Sequence, residues 1–253
     1  MANDSHAAAE RLRIESVALA AGAAPLNDSI RAGEIVGLAG LDGHGQEAFL
    51  ETLAGLRVAA SGSVRIIVDG KPVAIASFRQ AVRHGVAYLA RDRRANGVFP
   101  SLSILDNFGV VSMDRDCRFG LISRKAQRAR YEAYRERLSI VAPPPDRAIT
   151  ALSGGNQQKV LLARWLALEP RILLLNDPTR GVDQRTRETL YAVFRELARA
   201  EGMALVVLST EIEEVLRLCD RVLVFREQRV AARLAGEALS NDRVIAAMFG
   251  RAA

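Results

Sequence analysis

Three short runs in this 253-residue sequence combine residue types and spacings suited to phosphate chemistry. The first is Gly40-Leu41-Asp42-Gly43-His44-Gly45-Gln46-Glu47, entered from the apolar Ile35–Ala39 and followed by helical periodicity. Glycines let a backbone turn tightly and aim N–H groups at phosphate oxygens, and a helix N-terminus adds positive potential. The outer glycines, Gly40 and Gly45, match the pattern G-x-x-x-x-G-K-[ST], but the last two positions do not. Gln46 stands where a lysine would neutralise phosphates, and Glu47 where Ser or Thr would hold Mg²⁺. A charge pair at 4 Å is worth roughly 4 kcal/mol at an effective dielectric near 20, before desolvation. Losing one positive charge and gaining one negative charge is therefore expected to weaken phosphate binding here. Taken alone, the run is as readily an ordinary glycine-rich strand-to-helix turn.

The second run is Leu152-Ser153-Gly154-Gly155-Asn156-Gln157-Gln158-Lys159-Val160. It sets a hydroxyl and backbone N–H groups together before a helix, and Ser153 is equally a helix N-cap. The third, Arg171-Ile172-Leu173-Leu174-Leu175-Asn176-Asp177-Pro178-Thr179, ends an apolar stretch in an amide and a carboxylate. Arg180-Gly181-Val182-Asp183 follows, with Asp183 also placed to cap the helix that starts at Gln184. Val207-Leu208-Ser209-Thr210-Glu211 and Tyr88-Leu89-Ala90-Arg91-Asp92-Arg93 end two further apolar stretches in polar groups.

In content and order these segments resemble the ATPases of ABC transporters, over roughly Arg31 to Arg229. Asn156-Gln157-Gln158-Lys159 resembles the second nucleotide-binding domain of ribose/galactose-type sugar importers. The resemblance implies an α/β fold: a P-loop NTPase (RecA-like) core with an antiparallel β edge and a helical insertion. It implies one nucleotide-binding domain over 1–253, with the β edge and first half of the core at 1–91. The helical subdomain with the signature falls at 92–158, the second half of the core at 159–235 and a C-terminal helix at 236–253.

ATP and Mg²⁺ are the implied cofactors. Gly40, Asp42, Gly43, His44, Gly45, Gln46 and Glu47 then form the phosphate loop. Ser153, Gly154, Gly155 and Asn156 form the signature, which in the family contacts the γ-phosphate of ATP held by a partner domain. Asn176 and Asp177 stand at the Walker B Asp and catalytic Glu, Thr210 at the switch His, Asp183 in the D-loop and Arg91 at the Q-loop Gln or Glu. On this reading Asp177 and Thr210 are degenerate catalytic positions, and Asn176 with Glu47 the degenerate Mg²⁺ position. Signature and D-loop are intact while the Walker side is altered, so the chain is expected to complete a hydrolytic site on a partner more than to run its own. The aromatic that stacks on adenine is not visible between Ile14 and Ile30. Arg91 could meet a phosphate bidentately, or pair with Asp92 or Glu211, or face solvent. The implied partners are a membrane permease subunit, a second nucleotide-binding domain (the same or another chain) and, indirectly, a periplasmic binding protein. The permease would meet the insertion, with Phe99, Leu102, Leu105 and Phe108 as docking residues or ordinary core. A regulatory or assembly module that kept the fold without hydrolysis is the alternative.

The positioning elements are legible as alternating strands and helices. Ile35–Ala39, Ile66–Val68, Val86–Leu89, Ile172–Leu175, Leu205–Leu208 and Val222–Phe225 read as strands, several without polar alternation, as in a parallel sheet buried on both faces. Gln46–Leu53, Arg124–Leu138, Gln157–Ala167, Gln184–Arg199 and Ile212–Leu218 read as helices. The weaker, alternating segment before Gly33, with Val64–Ile75, could make an antiparallel sheet. From Asp92 to about Gln158 the chain is Arg-rich and mostly helical.

Composition narrows the field. Thirty-two arginines stand against three lysines, Lys71, Lys125 and Lys159, none in the phosphate loop. No apolar run reaches 18 residues, as a membrane span requires, and Met1–Arg13 lacks the order of a signal peptide. A cytoplasmic protein, peripheral on the inner face of the plasma membrane, is expected. Cys117 and Cys219 are far apart, and His6, His44 and His84 form no metal-ligand spacing. The basic residues are scattered without stacking aromatics, so nucleic acid is not an expected partner.

Overall fold

A computed structural model describes residues 8–118 and 120–251. His6 and the start of the Met1–Arg13 stretch lie outside the described residues, as do the last two residues of the expected C-terminal segment. In chain order the elements are β1 (Glu10–Ala18), β2 (Leu26–Arg31), β3 (Ile35–Gly40), α1 (Gln46–Leu53), β4 (Ser61–Val68), β5 (Lys71–Ala74), α2 (Phe78–Arg83) and β6 (Val86–Leu89). Next come α3 (Arg93–Asn96), α4 (Ile104–Gly109), α5 (Met113–Asp116), the two-residue strands β7 (Cys117–Arg118) and β8 (Leu121–Ile122), α6 (Arg124–Arg137) and α7 (Gly154–Leu166). The remainder are β9 (Ile172–Asn176), α8 (Gln184–Arg199), β10 (Ala204–Leu208), α9 (Ile212–Leu218), β11 (Arg221–Arg226), β12 (Arg229–Ala235) and α10 (Asn241–Phe249). Two compact units divide the chain.

The first unit takes residues 1–88, 171–177 and 194–253. Its six-stranded sheet has the order β12-β11-β3-β10-β9-β6. Strands β11, β3, β10 and β9 pair in parallel, and β12 turns back antiparallel at one edge. Every residue of β9 and β10 is buried, which is why these strands read as unbroken apolar runs. Register sets their ends level: Leu208 lies opposite both Leu38 and Asn176, and Phe225 opposite Gly40. The antiparallel arrangement expected near the N-terminus is a four-stranded sheet of its own, order β2-β1-β4-β5. Its Leu12, Ile14, Ile30 and Ile66 share one core with Phe49 of α1 and Phe225 of β11, whose rings lie 5.3 Å apart.

The second unit takes residues 89–170 and 178–193. Helices α4, α6 and α7 form most of it, with Phe108 packed against Tyr131 and Tyr134 at 5.6 and 5.8 Å. Leu105 and Phe108 are fully buried, which removes them as docking residues: α4 turns them inward as core, while Phe99 is exposed and Leu102 half-buried. The hairpin β7–β8 has two residues in each strand, too few to show a period, and its Leu121 and Ile122 are both exposed. Helix α7 begins at Gly154, three residues earlier than its apolar periodicity predicts. Ser153 Oγ accepts the Asn156 N–H, so the glycines become the first helical turn.

Arg164 of α7 is buried and holds this unit together. Its Nε donates to the Asn107 carbonyl at 2.6 Å, Nη1 to the Gly97 carbonyl at 2.7 Å and Nη2 to Asn107 Oδ1 at 3.0 Å. Burial pulls its pKa below the ordinary arginine value, to about 10, so the charge is tolerated only because these acceptors surround it. Arg164→Leu strands three acceptors and is expected to cost about 2–4 kcal/mol in urea unfolding. An unchanged midpoint would show that the buried charge is not what holds the unit.

Candidate functional site

The first unit gathers Gly40, Asp42, Gly43, His44, Gly45, Gln46, Glu47, Asn176, Asp177 and Thr210, because β3, β9 and β10 end level. Gly45 caps α1 in a left-handed conformation, φ 110°, with no side chain bonded at the cap. A Cβ there would sit 3.0 Å from the Gln228 Cα and 3.1 Å from Leu19 Cδ1. Gln228, in the β11–β12 turn, clamps the loop from outside. Its backbone N–H donates to the His44 carbonyl at 2.9 Å, and its side-chain Nε2 to the Gly43 carbonyl at 2.6 Å. A cleft of about 240 Å³ opens beside the loop, lined among others by Gly45, Gln46, Glu47, Glu51 and Gln228. Asp42 is exposed and His44 half-buried.

Gln46 is almost fully buried. Its Nε2 donates back to the carbonyls of Leu41 at 2.8 Å and Gly40 at 3.2 Å, and its Oε1 is buried without a hydrogen-bond partner. Asn176 turns its Nδ2 to Glu47 Oε1 at 2.9 Å and to the Tyr88 hydroxyl at 3.2 Å. Asn176 Oδ1 is also buried without a partner. Burial raises the Tyr88 pKa; its bond from Asn176 works the other way, and Glu51 and Glu47 add smaller upward shifts, so Tyr88 remains a neutral phenol. Asp177 has a left-handed backbone, φ 46°. Its Oδ1 accepts from the Thr210 backbone N–H at 2.7 Å and hydroxyl at 3.1 Å.

The second unit carries Arg91, Ser153, Gly154, Gly155, Asn156 and Asp183. Ser153 Oγ also accepts from Asn156 Nδ2 at 3.0 Å, while Asn156 Oδ1 takes the Val141 N–H at 2.9 Å. Asp183 accepts the Thr186 N–H at 3.0 Å and hydroxyl at 2.8 Å, as a helix cap does. These bonds to the start of α8 hold its carboxyl below the usual range. A Cβ on Gly154 would fall 2.5 Å from Arg93 Nη2, and Arg93 Nη1 donates to the Arg180 carbonyl at 2.9 Å. A side chain at 154 would push this guanidinium off the helix start. Arg91, Arg93, Arg94 and Arg180 line one cleft of about 280 Å³ with Asp92 and Gly181. The Asp92 carboxylate caps Arg94 and Ala95, which lowers its pKa.

Tyr88, Gln228, Arg93 and Thr186 contact the motif residues and were not picked out in the sequence. Arg93 and Thr186 sit within or just past the quoted runs; Gln228 carries no local signal beyond a turn. Among the described residues no group of three or more His, Cys, Asp or Glu could hold a metal.

The sequence profile of the ABC transporter family matches residues 24–180. The chain belongs to that family. It is 40% identical over 241 residues to the ribose import ATP-binding protein RbsA of Geobacillus kaustophilus (strain HTA426), covering 95% of this chain and 48% of that protein. It is 41% identical over 221 residues to a putative ribose/galactose/methyl galactoside import ATP-binding protein of Agrobacterium fabrum (strain C58 / ATCC 33970), covering 87% and 44%. The chain thus spans about half the length of these curated relatives. Among solved structures, a nucleotide-free ATP-binding cassette from an ABC transporter superposes with a TM-score of 0.78 at 18% identity, over 94% of this chain and 98% of that one. A dimeric post-hydrolysis cassette bound to ADP and Pi gives 0.75 at 20% identity, over 88% and 98%. The ABC ATPase fold is therefore established for this chain.

The clamp on the ABC phosphate loop can be tested by stability. Gly45→Ala puts a Cβ against Gln228 in a backbone conformation that L-residues avoid, and is expected to cost about 1–3 kcal/mol. Wild-type unfolding would mean that the Gln228 turn yields freely.

Proposed function

We propose that this chain is an ATP-binding domain of a sugar-import ABC transporter, of the second, C-terminal type, whose signature completes a hydrolytic site on a partner domain. Its own Walker side then contributes little turnover. The observation that carries this is Gln46: the side chain at the lysine position bonds to the loop's own carbonyls. Asn176 and Asp177 support it, since each is already engaged, by Glu47 and by Thr210 respectively. The relatives' printed names, ribose and ribose/galactose import, support a sugar as cargo.

The bare glycine turn and the uncapped start of α1 suit a phosphate group, so ATP would lie along Gly43–Glu47 with its charge poorly matched. Magnesium fits less well. The Glu47 carboxylate is already bonded to the Asn176 amide, and among the described residues no group of three or more His, Cys, Asp or Glu could hold a metal. The other half of a composite site would be Ser153, Gly154, Gly155, Asn156 and Asp183, offered to a nucleotide on a second nucleotide-binding domain of the same or another chain. Arg91, beside Arg93, Arg94 and Arg180, would add positive potential on that face. A membrane permease subunit and, through it, a periplasmic binding protein complete the assembly at the inner face of the plasma membrane. The closed Asn176–Glu47 pair also favours a second reading, a regulatory module that never hydrolyses ATP.

Turnover measured alone and with an intact partner domain separates these readings. The isolated chain is expected to be slower than the pair by roughly a hundredfold or more, and Ser153→Arg in this chain to abolish the gain. Fast hydrolysis by the isolated chain would overturn the proposal, and no gain with the partner would favour the regulatory module. Arg91→Ala is expected to weaken nucleotide affinity of the pair several-fold; unchanged affinity would remove Arg91 from the site.

A further inference from the structure

A further cleft in the first unit is lined by none of the motif residues. It measures about 730 Å³ and is lined by Arg226, Arg229, Arg243 and Arg251 over a floor that includes Val230, Ala232, Leu234 and Ala247, with no acidic residue in its wall. Alternate residues Val230, Ala232 and Leu234 of β12 are half-buried on one face. Arg243, Ala247, Gly250 and Arg251 follow helical spacing along one stripe of α10 and the residues just past it, a span of about 12 Å at about 1.5 Å per residue.

Gly250 ends α10 with φ 69°, and a Cβ there would fall 1.3 Å from Arg226 Nη1. Only glycine admits that guanidinium at the helix end. Arg226 Nε is buried and makes no hydrogen bond; its ion-pair partner Glu227 is 3.8 Å away and also serves Arg229, at 3.5 Å. Arg251 lies over the Phe249 ring at 6.0 Å. Arg243 sits in the first turn of α10, where the helix dipole disfavours a cation. An anion in the cleft would offset that, alongside Asp242 in the same turn.

We propose that this cleft binds an organic phosphate: a phosphate group taken by the guanidiniums, with a small organic body against the alanine, valine and leucine floor. Arginine forks match phosphate oxygens bidentately, and the volume falls in the usual small-molecule range of roughly 300–1,000 Å³. The ligand is either a soluble phosphorylated metabolite or the phosphate headgroup of a lipid. Arg226 and Arg229 flank the turn residue Gln228, which holds the carbonyl of Gly43, so occupancy bears directly on the clamp of the phosphate loop. The site does not depend on the transport reading.

Calorimetric titration of the full chain with glucose 6-phosphate, and sedimentation with phosphatidylcholine vesicles containing phosphatidic acid, test it. One probe is expected to bind saturably, and Arg229→Glu with Arg243→Glu, both at exposed positions, to weaken it at least tenfold. Arg243→Gln alone gives a smaller loss in the same direction. Capture by vesicles only identifies the lipid source, and binding of the sugar phosphate the soluble one. Binding that is equal in the double variant, or absent with both probes, overturns the proposal.

Discussion

Everything chemical in the first unit depends on three parallel strands ending level. Leu208 is held opposite Leu38 and Asn176 by two ladders of backbone hydrogen bonds. A one-residue slip in either ladder would send every side chain to the other face of the sheet. The register therefore fixes three things at once: where the glycine loop leaves β3, where the amide and carboxylate leave β9, and where Thr210 follows β10. Both faces of β9 and β10 are buried, so a slip would have to refit every side chain into close-packed surroundings. The short distances among Glu47, Asn176, Asp177 and Thr210 follow from that alignment, not from any flexibility of the loops.

Given that edge, the chain fills it with self-satisfying bonds. Asp177 is buried, and a buried carboxylate must be bonded or neutralised. The Thr210 N–H and hydroxyl supply two bonds to one of its oxygens. Glu47 accepts from the Asn176 amide. In the second unit the same economy of bonding shows in Ser153 and Asp183, whose side chains cap α7 and α8. There, however, the neighbouring cations are arginines that line an open cleft, so positive potential remains on offer beside the helix start.

The architecture was legible where one physical cause dominated. Helices α1, α8 and α9 and strand β6 fall on the residues their apolar periodicity predicts. Strands β9 and β10 differ only at their ends. Strands β1 and β2 were visible only as a weak alternating tendency, since one face of each meets the core and the other does not, and β5 has no buried residue at all. The β7–β8 hairpin, with two residues in each strand, was too short to leave a period. For the candidate site, motif spacing marked the backbone positions but not the side-chain directions. Nothing in Gln46 as a letter says that its amide folds back onto the carbonyl of Leu41. The clamp by Gln228 joins positions 185 residues apart, a contact that only the pairing of β11 with β3 creates. Leu105 and Phe108 show the opposite failure: apolar residues in a helical insertion could be surface or core, and only the packing of α4 on α7 made them core.

The substitution at Gln46 is the point where composition, geometry and chemistry meet. A sequence with 32 arginines and three lysines has a ready means of keeping a positive charge where lysine is absent, yet it places a neutral amide there. The position is nearly closed to solvent, so a charged side chain would carry a desolvation cost whenever no phosphate was bound. The amide avoids that cost by bonding to Gly40 and Leu41, and the loop is complete without a ligand. His44 Nδ1 in this loop, which an imidazole can use as a donor, is buried without a partner, as are two amide acceptors, Gln46 Oε1 and Asn176 Oδ1. A phosphate oxygen is an acceptor too and can satisfy neither amide oxygen. Arginines beside Gly154 and Gly181 are donors throughout. The two units thus differ in what they hold out: the glycine loop offers the uncapped N–H groups at the start of α1 but no lysine or arginine between Gly40 and Glu47, while the cleft beside Gly181 is lined by four arginines.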